Sequence, residues 1–289
     1  MEKLEYLSVP LDGITTTLQL PYIIYSSHEY EIVLKELTSS DVERAFRLRI
    51  VEDANTGAYH MESTEEYNFY GDDHIQYYLH DSKLQLCVVP KNSILDNTFR
   101  ERLSLALECA LGYFDEHVSW VYEQFASVAS RGAYRSHMSM CSKGTFDAKV
   151  VAIIRLIISY KDSGELPEHK FETLRALLNS ARHQAGAADV ACVLYFSVLE
   201  SVYVQSNQEL AYKLSMRMTK KLNKDHAFAR KVMDMYSRRG DVIHGTEKGD
   251  VFSQEELRLL EGLAKRSFVS FVETPRDFSN TKLDKLLLQ

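Results

Sequence analysis

The 289-residue chain has only five prolines and a single tryptophan, and its four cysteines, Cys87, Cys109, Cys141 and Cys192, stand far apart with no C-x-x-C pair. Scarce proline, with hydrophobic residues at 45% and charged residues at 26%, excludes a proline-rich disordered or fibrous chain and predicts packed globular cores. The cysteine spacing excludes a zinc ribbon or a dithiol redox motif, so the thiols are expected as small buried hydrophobes. No stretch approaches the roughly 20 apolar residues that span a bilayer. The N-terminal MEKLEYLSVPLDG lacks the basic start and apolar run of a signal peptide, so a cytoplasmic protein is expected. Also missing are a P-loop, a G-x-G-x-x-G turn, a nucleophile elbow and an H-E-x-x-H helix. Neither a metal nor a cofactor is expected.

What is present is an uneven charge. The net charge is −7, yet residues 207–289 carry 16 Lys and Arg against 12 Asp and Glu, leaving 18 against 29 for the remainder. The contrast is sharpest between Lys213 and Arg239, where nine basic residues face only Asp225 and Asp234: Lys213, Arg217, Lys220, Lys221, Lys224, Arg230, Lys231, Arg238 and Arg239. A local cationic field attracts a polyanion even on an acidic protein, because salt screens charges beyond about 10 Å. The seven residues from Lys213 to Lys231 are therefore candidate RNA contacts; a solvated helix face is the plainer reading of the same charges.

Periodicity divides the chain into two kinds of structure. The first ninety residues read as strands and turns, with TTTLQLPYIIY, EYEIVLKEL and KLQLCVVP rich in β-branched and aromatic residues. The tyrosine-rich EEYNFYGDDHIQYYLHD adds short strands or a small helix. From about Asn97 the spacing becomes helical. Leu103, Leu107, Ala110, Leu111 and Phe114 fall near one stripe, with Asp96 or Asn97 available as N-cap. Further helices are predicted over DAKVVAIIRLIISYK, where β-branching leaves a strand open, and over FETLRALLNSARHQ. Residues 127–146 read as an irregular connection.

AADVACVLYFSVLESVYVQ is apolar on nearly every face, which predicts the central helix of a bundle. Glu200 interrupts it and calls for a partner, because a lone buried charge is costly. Three helices follow: NQELAYKLSMRMTKKLN, DHAFARKVMDMYSRRGDVIH with Asp225 as cap, and SQEELRLLEGLAKRSFVSFVE with the Ser253–Glu256 spacing of a capping box. The fold class expected is α+β: a β-rich domain over 1–95, a helical connecting region over 96–180 and an antiparallel helical bundle over 181–289.

The stretch YSRRGDVIHGTEKG places Arg239 and His244 five residues apart just before Gly245. On an ideal helix that step turns the two side chains about 140° apart. They share a site only if the helix loosens at Gly240, or if a second copy brings the same elements together across a two-fold axis. Chemically the pair suits metal-free RNA cleavage: histidine moves protons near neutral pH, and arginine stabilises charge on a phosphorane. The plainer reading is a basic helix end that complements the helix dipole. Other clusters weigh less: His74 and His80 among Asp72, Asp73 and Asp81 fit no metal pattern. Trp120 with Tyr113, Phe114, Tyr122 and Phe125 reads as core; the cluster of Tyr67, Phe69, Tyr70, Tyr77 and Tyr78 reads first as core and edge packing, with stacking on bases or a partner as the other reading.

In order and helical setting, LYFSVLESVYVQ, QELAYKLSMRMTKKL and FARKVMDMYSRRGDVIHG resemble the C-terminal helices of the HEPN superfamily, particularly its Apea-like branch, over roughly residues 180–273. The resemblance implies Arg239 and His244 as the catalytic pair of a metal-independent endoribonuclease that leaves a 2′,3′-cyclic phosphate. It also implies Gly245 as the helix stop, Glu200 as a buried tether for an arginine, and Arg238 as an alternative to Arg239. A homodimer or higher homo-oligomer, RNA as substrate, a role in phage defence and an N-terminal domain answering to a trigger are implied as well. Two departures stand out. Gly240 occupies a position that is often polar in active members, where Asp241 supplies the nearest polarity, and Thr246 replaces the tyrosine of members controlled by AMP addition. A non-catalytic bundle that binds RNA or a protein partner is the alternative.

Overall fold

The computed structural model describes residues 7–11, 14–38, 40, 48–52, 59–63, 83–91, 97–112, 124–125, 134–135, 144–160, 168–184, 187–204, 209–245 and 251–287. The chain divides into two compact units, Met1–Leu111 with His117–Arg155, and Gly112–Glu116 with Leu156–Gln289. The architecture is α+β.

The first unit holds β1 (Leu7–Leu11), β2 (Ile14–Thr16), β3 (Tyr22–Ser26), β4 (Tyr30–Glu36), β5 (Leu48–Glu52), β6 (Tyr59–Ser63), β7 (Leu84–Pro90), α1 (Asn97–Gly112), β8 (Gln124–Phe125), β9 (Tyr134–Arg135) and β10 (Gly144–Phe146). Its main sheet has the order β3-β4-β7-β1-β8-β9, with antiparallel neighbours. Leu84 to Val88 are all buried in β7, the apolar run expected of an interior strand. TTTLQLPYIIY holds the end of β2 and most of β3, separated by residues 17–21. A hairpin, β5–β6, and a parallel pair, β10–β2, complete the strands. Two differences from the sequence reading follow. The strand-bearing unit continues well past residue 95, and residues 127–146 include β9 and β10. Strands of two or three residues carry no local pattern, and the β10–β2 pair joins segments about 130 residues apart.

Helix α1 is buried on all sides from Leu103 to Ala110 rather than along one stripe. Cys87, Cys109 and Cys192 are buried thiols, none of them in a disulfide with another described residue. Asp96, Tyr113, Phe114, Trp120, Tyr122, Cys141 and the tyrosine and His/Asp clusters between 64 and 82 lie outside the described residues.

Helices continue through α2 (Ala148–Ile158), α3 (Glu168–His183), α4 (Ala188–Tyr203), α5 (Leu210–Lys221), α6 (His226–His244) and α7 (Gln254–Glu273). After a 3₁₀ turn at Pro275–Phe278 comes α8 (Asn280–Leu287), for which the sequence reading made no prediction. β-branched α2 forms a helix because Val150, Val151, Ile153, Ile154, Ile157 and Ile158 all find buried surroundings, and packing overrides weak propensity.

The second unit is helical and is organised around α4, which packs against α3, α5, α6 and α7. Phe196, Val198, Leu199, Val202 and Tyr203 of α4 are at most 2% exposed, as its apolar circumference predicts. Among the described residues no helix is long and apolar enough to cross a membrane.

Candidate functional site

Local chemistry sets both ends of α6. The Asp225 carboxylate accepts the Phe228 N–H at 2.8 Å, an N-cap worth about 1 kcal/mol. Ala229, Val232 and Met235 turn one face into the core. At the far end Gly245 adopts φ 62°, and its N–H reaches the carbonyls of Asp241 and Val242. That left-handed stop suits glycine.

The helix does not loosen at Gly240; α6 is continuous from His226 to His244. Within one copy of the chain, Arg239 and His244 therefore remain about 140° apart, and the local unwinding entertained from sequence is corrected. His244 is exposed at the last helical residue. Among the described residues, a Cβ placed on Gly240 would meet nothing within 4 Å, so their packing does not require a glycine there. Asp241 lies one turn before His244 and is half-buried.

Arg239 is held in the opposite direction, toward α4. Its Nη2 donates to Glu200 Oε2 at 3.2 Å, its Nη1 lies 3.4 Å from the Tyr236 hydroxyl, and the guanidinium sits 5.2 Å from the Tyr236 ring centre. Tyr236 donates its hydroxyl to Glu200 Oε1. Glu200 thus has the partners that its place in an apolar helix demanded. The Tyr236 ring meets Phe196 edge to face at 5.4 Å. Burial first, and then the bond to Glu200, push the phenol up to about 12, so it stays protonated and donates. Arg239 Nε is buried with no partner among the described residues, a penalty of about 1–3 kcal/mol that the surrounding contacts must offset. Tyr236 was not singled out from sequence, although its place one turn before Arg239 on the same face was legible.

Arg238 has different commitments. It donates to the Val251 carbonyl at 2.7 Å and to Glu256 Oε1, and it lies over the Phe252 ring at 5.1 Å. It fastens α6 to the start of α7. Glu256 meanwhile completes the capping box with Ser253. The Arg238 hydrogen bond holds its carboxyl below the ordinary range, against the opposing effect of burial. With a lowered folded pKa, this pair stabilises at neutral pH and is lost as pH falls through that pKa.

Asp189, in the first turn of α4, accepts the backbone N–H groups of Val251 and Phe252 at 3.1 and 2.9 Å. Its replacement by alanine is expected to cost about 1–3 kcal/mol by stranding two amides, read as a lower urea midpoint with an unchanged m-value.

The basic run separates into three groups. Arg217 is 2% exposed and donates to the Tyr203 carbonyl at 2.7 Å, to Asn280 Oδ1 at 3.1 Å and to Asp284. It is a buried clamp between α4, α5 and α8, and its assignment as an RNA contact is corrected: a side chain enclosed on three sides cannot meet a phosphate. Lys213, Lys221 and Lys231 form ion pairs with Glu209, Asp277 and Glu255 at 3.7, 3.6 and 3.9 Å. Pairs of this surface kind contribute about 0–1 kcal/mol and exchange readily. Lys220, Lys224 and Arg230 are exposed. Thr246 lies outside the described residues.

The arrangement can hold one guanidinium firmly at a helix flank while presenting an imidazole at that helix's end. Comparison of the chain with protein-family models, with curated proteins and with solved structures returned no match.

Proposed function

We propose that the second unit is a HEPN-type endoribonuclease that cleaves RNA without a metal ion. The observation that carries this reading is the Glu200 carboxylate holding Arg239 on the helix that ends at His244. This is the tethered-arginine arrangement that the resemblance to Apea-like HEPN sequences implies. In the proposed chemistry the imidazole of His244 takes the proton of a ribose 2′-OH or returns one to the leaving 5′-oxygen. The guanidinium of Arg239 stabilises the added charge on phosphorus. Because the two side chains diverge on a straight helix, the site is completed by a second copy of the chain across a two-fold axis. The first unit would serve as the sensor or restraint of a phage-defence nuclease acting in the cytoplasm.

Purified full-length protein incubated with RNA in EDTA should yield fragments ending in 2′,3′-cyclic phosphate, since the 2′-OH is the internal nucleophile. Loss of cleavage on chelation would sink this reading. A second reading, a non-catalytic module that binds RNA or a protein, is favoured by Gly240 and by the ion pair that occupies Arg239. Salt-dependent RNA binding without cleavage would select it.

Substituting Lys220, Lys224 and Arg230 together with glutamine is expected to weaken RNA binding and flatten its salt dependence. Each lost phosphate contact lowers the slope of log K against log salt by about 0.7 on a single strand. Titrations by fluorescence anisotropy at several salt concentrations measure both effects.

A further inference from the structure

We infer that Tyr212 is a base-stacking platform, so that the basic surface of α5 takes the bases of a single RNA strand as well as its phosphates. The inference rests on the RNA-binding reading proposed above, with or without cleavage, and names the form of RNA that this surface fits.

Among the described side chains Tyr212 is the only exposed aromatic, at 51%. Other rings of the second unit are committed to one another: Tyr160 stacks on Phe171, Tyr203 meets Phe278 and Tyr236 meets Phe196. The surroundings of Tyr212 are cationic. Tyr212, Met216 and Lys220 follow one another along α5 at four-residue steps, each turning about 40° around the helix and rising about 6 Å along it. Met216 is half-buried and Lys220 exposed, and exposed Lys224 follows in the connection to α6. Neither lysine forms an ion pair among the described residues. Glu209, the acid at the start of the helix, is paired with Lys213 at 3.7 Å. An exposed ring followed by open cations is the combination that holds a single strand, with a base stacked on the ring and phosphates on the lysines.

Position along the helices suits a strand that runs toward the proposed site. The short connection 222–225 and the packing of α5 on α6 return the second helix antiparallel to the first. Tyr212 stands in the first turn of α5, about 14 Å along the axis from Lys221, which sets it level with the middle of α6. It therefore lies between the basic turn at Lys220 and Lys224 and the end of α6 that carries Arg239 and His244. The Tyr212 hydroxyl makes no hydrogen bond among the described residues, so the ring rather than the phenol carries the contact.

Fluorescence anisotropy of the full-length protein with a short labelled RNA free of self-pairing should show Tyr212→Ala binding about tenfold more weakly than the parent. Tyr212→Phe should bind about as well as the parent, since the stacking face survives loss of the hydroxyl. The slope of log K against log salt should be the same in all three proteins, because the ring neutralises no phosphate; this separates Tyr212 from Lys220 and Lys224. The same RNA annealed into a duplex should bind parent and Tyr212→Ala alike, because paired bases are stacked inside the helix and offer no face to the ring. Alanine is the best helix former, so α5 should persist in Tyr212→Ala, as matching thermal unfolding would establish. Equal single-strand affinity in parent and Tyr212→Ala overturns the inference, as does an equal loss on the duplex, a Tyr212→Phe as weak as Tyr212→Ala, or a parent that binds no RNA. If the affinities separate as expected while the parent cleaves nothing, the nuclease reading fails and the role of Tyr212 stands.

Discussion

Replacing His244 with alanine is expected to lower RNA cleavage by about 10²–10⁴-fold, the usual contribution of a positioned proton-transfer group. Because His244 is exposed at the last residue of α6, the change should leave the thermal unfolding curve in place. Arg239→Lys should lose activity as well. A lysine retains the charge beside Glu200 but not the planar fork, so it cannot hold the carboxylate and a phosphate together. The divergence of the two side chains along a continuous helix makes a sharper experiment available. If each site takes its arginine from one copy and its histidine from the other, mixing the Arg239→Lys and His244→Ala proteins should recover part of the activity, through heterodimers that contain one intact composite site. Cleavage undiminished in a pure His244→Ala preparation would remove the nuclease reading whatever the mixture does.

Arg217→Ala is expected to destabilise the second unit by about 2–4 kcal/mol without changing the RNA affinity of the folded protein. The side chain is 2% exposed, and its removal strands the Tyr203 carbonyl, frees Asn280 and Asp284 of α8, and empties a buried volume. Urea unfolding should show a lower midpoint, and binding measured well below that midpoint should match the parent. The contrast with Lys220, Lys224 and Arg230 is the point: residues of like charge in one stretch of sequence should separate into one that affects stability and three that affect binding. Weakened RNA binding with unchanged stability would return Arg217 to the surface role that its charge suggested.

Several features of this protein were determined by sequence alone because the interactions that create them close within one turn or one helix. Asp225 caps α6, Ser253 and Glu256 form the capping box of α7, and Gly245 ends α6 in the left-handed region; each needs only residues three or four positions apart. The central place of α4 was legible because a helix that is apolar all round has nowhere else to go. For the same reason Glu200 was bound to have a polar partner. Which partner it would have was not legible. The meeting of Glu200 with Tyr236 and Arg239, of Arg238 with Glu256, and of Arg217 with Asp284 depends on the rotation and axial register of helices about their neighbours. Those are set by how whole packed faces interdigitate, and no short stretch carries them. The β10–β2 pair, some 130 residues apart, lay beyond local reading for the same reason. Tertiary structure therefore decided which of the basic residues were structural and which were left facing water, since all of them carry the same charge and only their neighbours differ.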